Sequence, residues 1–152
     1  MRGFRSFALM ALSAALVAAA FPSCSKPSAF ECFVRSSEVP DGGRYCFDLD
    51  LSDSLVAWSV DFYSRMDTPL FLRKSFPVRM DVLWISPTGE EYVESVYADF
   101  SGTGGSRLPY RRGVIPPERG LWRLEVEVSP RYGEMNGLGI VCNGTRQAQE
   151  VR

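Results

Sequence analysis

From residue 46 to 51 the chain alternates, with Phe47, Leu49 and Leu51 on one side and Asp48 and Asp50 on the other. Successive side chains of a strand leave opposite faces, so this period of two predicts a strand with one buried and one wet face. Residues 122–128 repeat it: Trp122, Leu124, Val126 and Val128 face inward, Arg123, Glu125 and Glu127 outward. Residues 55–63 and 78–85 are denser in apolar and aromatic side chains and predict central strands, while 30–35, 91–97 and 138–142 predict shorter ones. Pro40-Asp41-Gly42-Gly43, Pro87-Thr88-Gly89 and the run 116–120 punctuate them with turns. Nothing after residue 24 has a helical period, so crossover helices and a parallel sheet are excluded. The expectation is a single antiparallel β-sandwich, Ig-like or jelly-roll-like, over residues 30–142, with a polar tail at 143–152.

The first residues follow another pattern. Arg2 and Arg5 precede an almost wholly apolar run from Phe7 to Ala20. That run is shorter than the ~20 residues a membrane-spanning helix needs, and a basic start before it predicts a secretory signal peptide. Pro22-Ser23-Cys24 then resembles a bacterial lipobox, which predicts a signal over 1–23, a diacylglycerol on the thiol of Cys24 and a tether over 24–29. Lys26-Pro27-Ser28 lacks the acidic run of surface-exported lipoproteins, which favours a periplasm-facing domain in the bacterial cell envelope. An ordinary cut near Ala18-Ala19-Ala20 is the alternative.

With Cys24 acylated, Cys32, Cys46 and Cys142 remain for an oxidising compartment. Three thiols allow one bridge or none. Cys32 with Cys46 is the shortest-range pairing, and Cys142 meeting either across a sheet is the other. No C-x-x-C supports a zinc site or a redox pair.

Composition removes chemistry rather than adding it. The chain of 152 residues holds no histidine, which excludes Ser-His-Asp and Cys-His catalysis and histidine-ligated metals. Seventeen basic against eighteen acidic residues, net charge −1, argue against nucleic acid. The Gly-rich run 101–106 precedes Arg107-Leu108-Pro109 rather than a helix, so it predicts a hairpin loop, not a nucleotide cradle. Arg107, Arg111 and Arg112 beyond it predict a solvated basic loop. Asp48/Asp50 and Glu125/Glu127 predict the wet faces of strands rather than an acid pair for glycoside hydrolysis. The trios Asp48-Asp50-Asp53 and Glu90-Glu91-Glu94 lack the spacing of a calcium loop. Neither cofactor nor metal is expected. Trp58, Trp84 and Trp122 are in step with the apolar positions and predict core; Tyr92, Tyr97 and Tyr110 are the candidates for a partner surface.

In order, these features resemble the gliding-motility lipoprotein family GldH. The carriers are Pro22-Ser23-Cys24, the early aromatic strand before Pro-Asp-Gly-Gly, and the strand Val56 to Arg65 leading through 66–70 to Met80–Ile85. Ser86-Pro87-Thr88-Gly89, the stretch Glu118 to Val126 and Gly137-Leu138-Gly139-Ile140 complete the pattern. The resemblance covers most of residues 24–142; the cysteines at 32, 46 and 142 and the stretch 98–113 depart from it. It implies a non-enzymatic, membrane-anchored envelope lipoprotein associated with gliding motility and type IX secretion, whose partners are envelope proteins. No catalytic residue is implied. A glycan-binding or surface-display sandwich is the competing reading, which a groove of exposed tryptophans would favour.

Overall fold

The computed structural model describes residues 29–69, 74–101 and 105–146. The expected signal peptide, Cys24 and all of the tether before Ala29 lie outside the described residues, as do 147–152. Eight strands follow one another: β1 (Ala29–Arg35), β2 (Tyr45–Asp50), β3 (Val56–Met66), β4 (Pro77–Ile85), β5 (Glu91–Asp99), β6 (Ser106–Val114), β7 (Leu121–Ser129) and β8 (Met135–Arg146). A single 3₁₀ turn, Ser36–Glu38, follows β1.

The strands form two four-stranded antiparallel sheets, ordered β1-β8-β3-β6 and β2-β7-β4-β5. Apart from the β4–β5 hairpin, every connection crosses between the sheets, which makes the sandwich a jelly roll rather than Ig-like. Alternation decides the inward set. Tyr45, Phe47 and Leu49 from β2, Met80 and Val82 from β4, and Leu124 and Val126 from β7 face Val60, Phe62, Leu138 and Ile140 of the first sheet, all buried. All strands being antiparallel, the sandwich has two unlike ends. Ala29 enters at one, with the β2–β3, β4–β5 and β6–β7 loops; the loops after β1, β3, β5 and β7 are at the other.

Two sequence expectations are corrected here. Residues 106–114, read as loop, form β6, an edge strand paired with β3. An edge tolerates Pro109, whose missing N–H would break a ladder in a central strand. The pairing slips at Trp58/Val60 and again at Val60/Asp61, and Gly113 has φ +64°. This bulge lets the neighbouring Arg111 and Arg112 diverge, which erases the period of two from the sequence. Second, β8 runs to Arg146, past the expected boundary at 142, because β3 pairs with it throughout. β1 and β2 are consecutive but lie in different sheets, with Cys46 on the outer face of the second and Cys32 turned toward the core. Cys32, Cys46 and Cys142 are free thiols, and burial pushes Cys142 up to about 11, which keeps it protonated and inert.

The outer face of the first sheet carries two local devices. Gly139 lies opposite Phe33 on one side and Tyr63 on the other, and the two rings stack above it with centroids 5.7 Å apart. A Cβ on Gly139 would meet the Tyr63 ring at 2.2 Å, whereas one on Gly137 would meet the backbone oxygen of Val34 at 2.3 Å. A ring can swing aside; a paired backbone cannot. Gly137→Ala is therefore expected to cost about 1–3 kcal/mol and Gly139→Ala less, as read by urea denaturation. Equal costs would show that β1 yields as readily as a side chain.

Further along β3, Asp61 is buried on the same face beneath Arg107 and Arg112, which both donate to its carboxylate. Burial pushes its proton affinity up, but the two guanidiniums outweigh that and hold it below the ordinary carboxylate range. A depressed folded-state value means stability that is complete above the unfolded value and lost as pH falls through the folded one. Below about pH 4, near the unfolded value of ~3.9, the wild type is expected to lose melting temperature more steeply than Asp61→Asn. Parallel acid profiles would remove Asp61 from the account.

Candidate functional site

At the entry end, between the flanks formed by β5 and β6, the space between the sheets is not filled. It forms a pocket of about 260 Å³ lined by Leu51, Trp84, Tyr92, Arg111, Val114, Pro116, Pro117 and Trp122. Trp84, Tyr92 and Trp122 sit one or two positions from the ends of β4, β5 and β7, at inward positions of the alternation. There the two layers part, so inward-facing rings line an opening instead of closing a core.

The rings hold one another in place. Trp122 meets Trp84 edge-on, centroids 6.1 Å apart and 77° between planes, and Tyr92 lies 6.1 Å from Trp122 at 33°. Tyr110 stacks on Trp84 at 16° and packs against Phe62 in the first sheet. Their polar atoms already have partners. Trp122 Nε1 donates to the Glu118 carbonyl at 2.9 Å, Trp84 Nε1 to Tyr110 Oη at 2.8 Å, and Tyr92 Oη to Glu90 at 2.7 Å. What the groove offers a visitor is therefore the faces of the rings and of two prolines.

One wall carries a charge, Arg111, which is backed by Glu94 and Tyr110 outside the lining itself. The Tyr110 hydroxyl donates to Glu94, and Arg111 Nη2 donates to the other Glu94 oxygen at 2.5 Å. The β6 bulge makes this possible, sending Arg111 across to the second sheet while Arg112 stays on its own. Burial raises Glu94, but Arg111 and Tyr110 overcome it and the carboxyl ends below its usual range. Burial first, and the Glu94 bond second, push Tyr110 up. At neutral pH the wall is thus a guanidinium backed by a carboxylate and a protonated phenol. A carboxylate held low by arginine is a poor proton donor at that pH, so the wall suits recognition better than proton transfer.

Glu118 latches the floor. Its carboxylate accepts from Thr88 Oγ1 at 2.8 Å and from Ser86 Oγ at 3.3 Å, tying the β6–β7 loop to the β4–β5 turn. Pro116 and Pro117 are thereby fixed beside Trp122. A second hollow of about 290 Å³ at the same end is lined by Ala29, Leu51, Asp53 and Trp58, and the indole nitrogen of Trp58 is buried there without a partner.

The structure scatters some of the expected residues and gathers others. Trp58 and Trp122 are buried, as expected of core, but Trp84 is only half-buried and walls the groove. Tyr92 is exposed at its rim, Tyr110 packs behind Trp84 without lining the groove, and Tyr97 is exposed on the outer face of the second sheet, away from it. Arg107 and Arg112 clamp Asp61, so the basic run is an ion-paired strand rather than a solvated loop. Glu94 and Arg111 as a pair were missed. An acid at an inward position of β5 was the available signal. Among the described residues no cluster of three or more acids and cysteines is placed to hold a metal ion.

No protein-family model and no curated protein matches the chain. Among solved structures it is similar to a chain of infectious bursal disease virus strain Gx, with 12% identity and a TM-score of 0.41 over 82% of this chain and 33% of the viral one. It thus spans about a third of the viral chain. It is also similar to TmCBM61, solved in complex with β-1,4-galactotriose, with 14% identity and a TM-score of 0.29 over 81% and 90% of the two chains. Likenesses this slight carry no function across.

Proposed function

We propose that this chain is a non-enzymatic, lipid-anchored lipoprotein of the bacterial cell envelope, facing the periplasm. It works by binding, as a structural component associated with gliding motility and type IX secretion. The observation that carries the binding reading is the groove, where Trp84, Tyr92, Pro116 and Pro117 present ring faces beside the Glu94–Arg111 pair. Aromatic faces with a few fixed polar groups are what protein recognition sites use. The GldH resemblance supports the envelope setting, and the basic start, apolar run and Pro22-Ser23-Cys24 support the anchor. The test is purification of tagged protein from gently solubilised envelope, beside a Tyr92→Ala/Arg111→Ala variant, with partners identified by mass spectrometry. Motility or secretion components should come with the wild type and be lost from the variant. Recovery of the wild type alone would overturn the reading.

The same groove favours a second reading, a glycan-binding module, because tryptophan and tyrosine faces stack on the C–H faces of sugar rings while charged rims bond hydroxyls. On a polysaccharide affinity gel the wild type would then be retarded and Tyr92→Ala at least tenfold less so.

A further inference from the structure

Seven large apolar side chains are exposed among the described residues: Phe30, Leu55, Tyr92, Val93, Tyr97, Ile115 and Leu121. Single exposed apolar residues need no explanation. Their placement does. Phe30 is the second residue of β1, Leu55 is in the β2–β3 loop, Tyr92 is the second residue of β5, Ile115 is in the β6–β7 loop and Leu121 begins β7. Five of the seven thus share the entry end of the sandwich, and Leu55, Ile115 and Leu121 are each more than half exposed, at 52%, 59% and 61%. None of those three lines the groove.

We infer that the entry end is the membrane-facing end, with Leu55, Ile115 and Leu121 seated in the lipid interface. The inference rests on the proposed acylation of Cys24. Five residue steps separate Cys24 from Ala29, a reach of at most about 18 Å. Strands of nine residues are about 30 Å long, so the tether is too short to bring the far end down to the bilayer instead. Once anchored, the domain must present this end, and its apolar side chains then meet the headgroup and acyl boundary, where such groups are buried to a depth of about 5–10 Å.

Charge selects the kind of surface. Asp50, Asp53, Glu90, Glu91 and Glu118 are at the same end, against Arg119 and Arg146, which ends β8 opposite Val56. An acid-rich rim is repelled by anionic headgroups, so the apolar seat, not lipid charge, must provide the attraction, and zwitterionic phosphatidylethanolamine is the expected surface. The groove opens at this end too, so whatever it binds is met at the lipid surface.

The test is amide hydrogen exchange of the mature acylated protein on phosphatidylethanolamine vesicles with a minor phosphatidylglycerol fraction, against its Cys24→Ser form in solution. Residues 51–55 and 115–121 should exchange at least tenfold more slowly on vesicles, with 36–44 and 130–134 unchanged. A Leu55→Glu/Ile115→Glu/Leu121→Glu variant should lose that protection while its Cys24→Ser form melts like the parent. Equal exchange at both ends, protection of 36–44 instead, or protection that appears only as phosphatidylglycerol is raised would each overturn the inference. The mass of the Cys24 peptide separates the two claims. An unacylated Cys24 sinks the anchor and the inference with it, whereas an acylated Cys24 with unprotected loops sinks the inference alone.

Discussion

Replacing Cys24 with alanine is expected to move the protein from the membrane fraction to the soluble envelope extract almost completely. Each buried methylene of an acyl chain contributes about 0.8 kcal/mol, and a single short chain binds only marginally, so the proposed anchor requires several chains on one cysteine. Alanine removes all of them together. What remains is the exposed apolar end, three side chains set among acids, which is too little to hold a folded domain against washing. The measurement is fractionation of envelopes at high salt, with the N-terminal mass of both forms. A variant that stays with the membrane, or a wild type cut near Ala18-Ala19-Ala20 with an unmodified thiol at Cys24, would remove the anchor from this account. The proposed binding through the groove would survive that outcome, since Trp84, Tyr92 and Arg111 owe nothing to the lipid.

Most of the sandwich was legible because its regular strands, edge β2 and interior β7 alike, obey one rule. Phe47-Asp48-Leu49-Asp50 and Trp122-Arg123-Leu124-Glu125 each have one dry face and one wet face, and the alternation is visible without a structure. β6 was not legible. It is an edge strand with a proline, a bulge and a positive-φ glycine, and both of its faces carry charge because Asp61 and Glu94 reach it from different sheets. The groove was half legible for the same reason. Trp84 and Trp122 carry the same inward phase, so periodicity assigns both to core. It cannot report that the two layers part near the strand ends, which is a tertiary fact. The jelly-roll order was likewise out of reach, because connections of similar length join strands within a sheet and between sheets.

Those two tryptophans also supply the second large effect. Trp122→Ala is expected to destabilise the fold by about 3–5 kcal/mol, the range for truncating a buried aromatic. Trp122 is 4% exposed, lies across from Leu49, and supports both Trp84 and Tyr92 from below. Its indole also holds the Glu118 carbonyl, so the substitution frees the β6–β7 loop that fixes Pro116 and Pro117. Trp84→Ala is expected to cost less, because that ring is half-buried and its loss opens onto solvent rather than leaving a sealed cavity. Its effect on binding should be the greater, relative to stability, since it deletes a wall of the groove and the indole that holds Tyr110 in place. Denaturant melts of the two variants, beside capture of the proposed envelope partner, separate the roles. A Trp122→Ala protein as stable as the parent would mean that the ring turns to solvent and belongs wholly to the groove. A Trp84→Ala protein that is destabilised as much as Trp122→Ala, and binds as well as the parent, would mean that both rings are core and that the partner docks elsewhere.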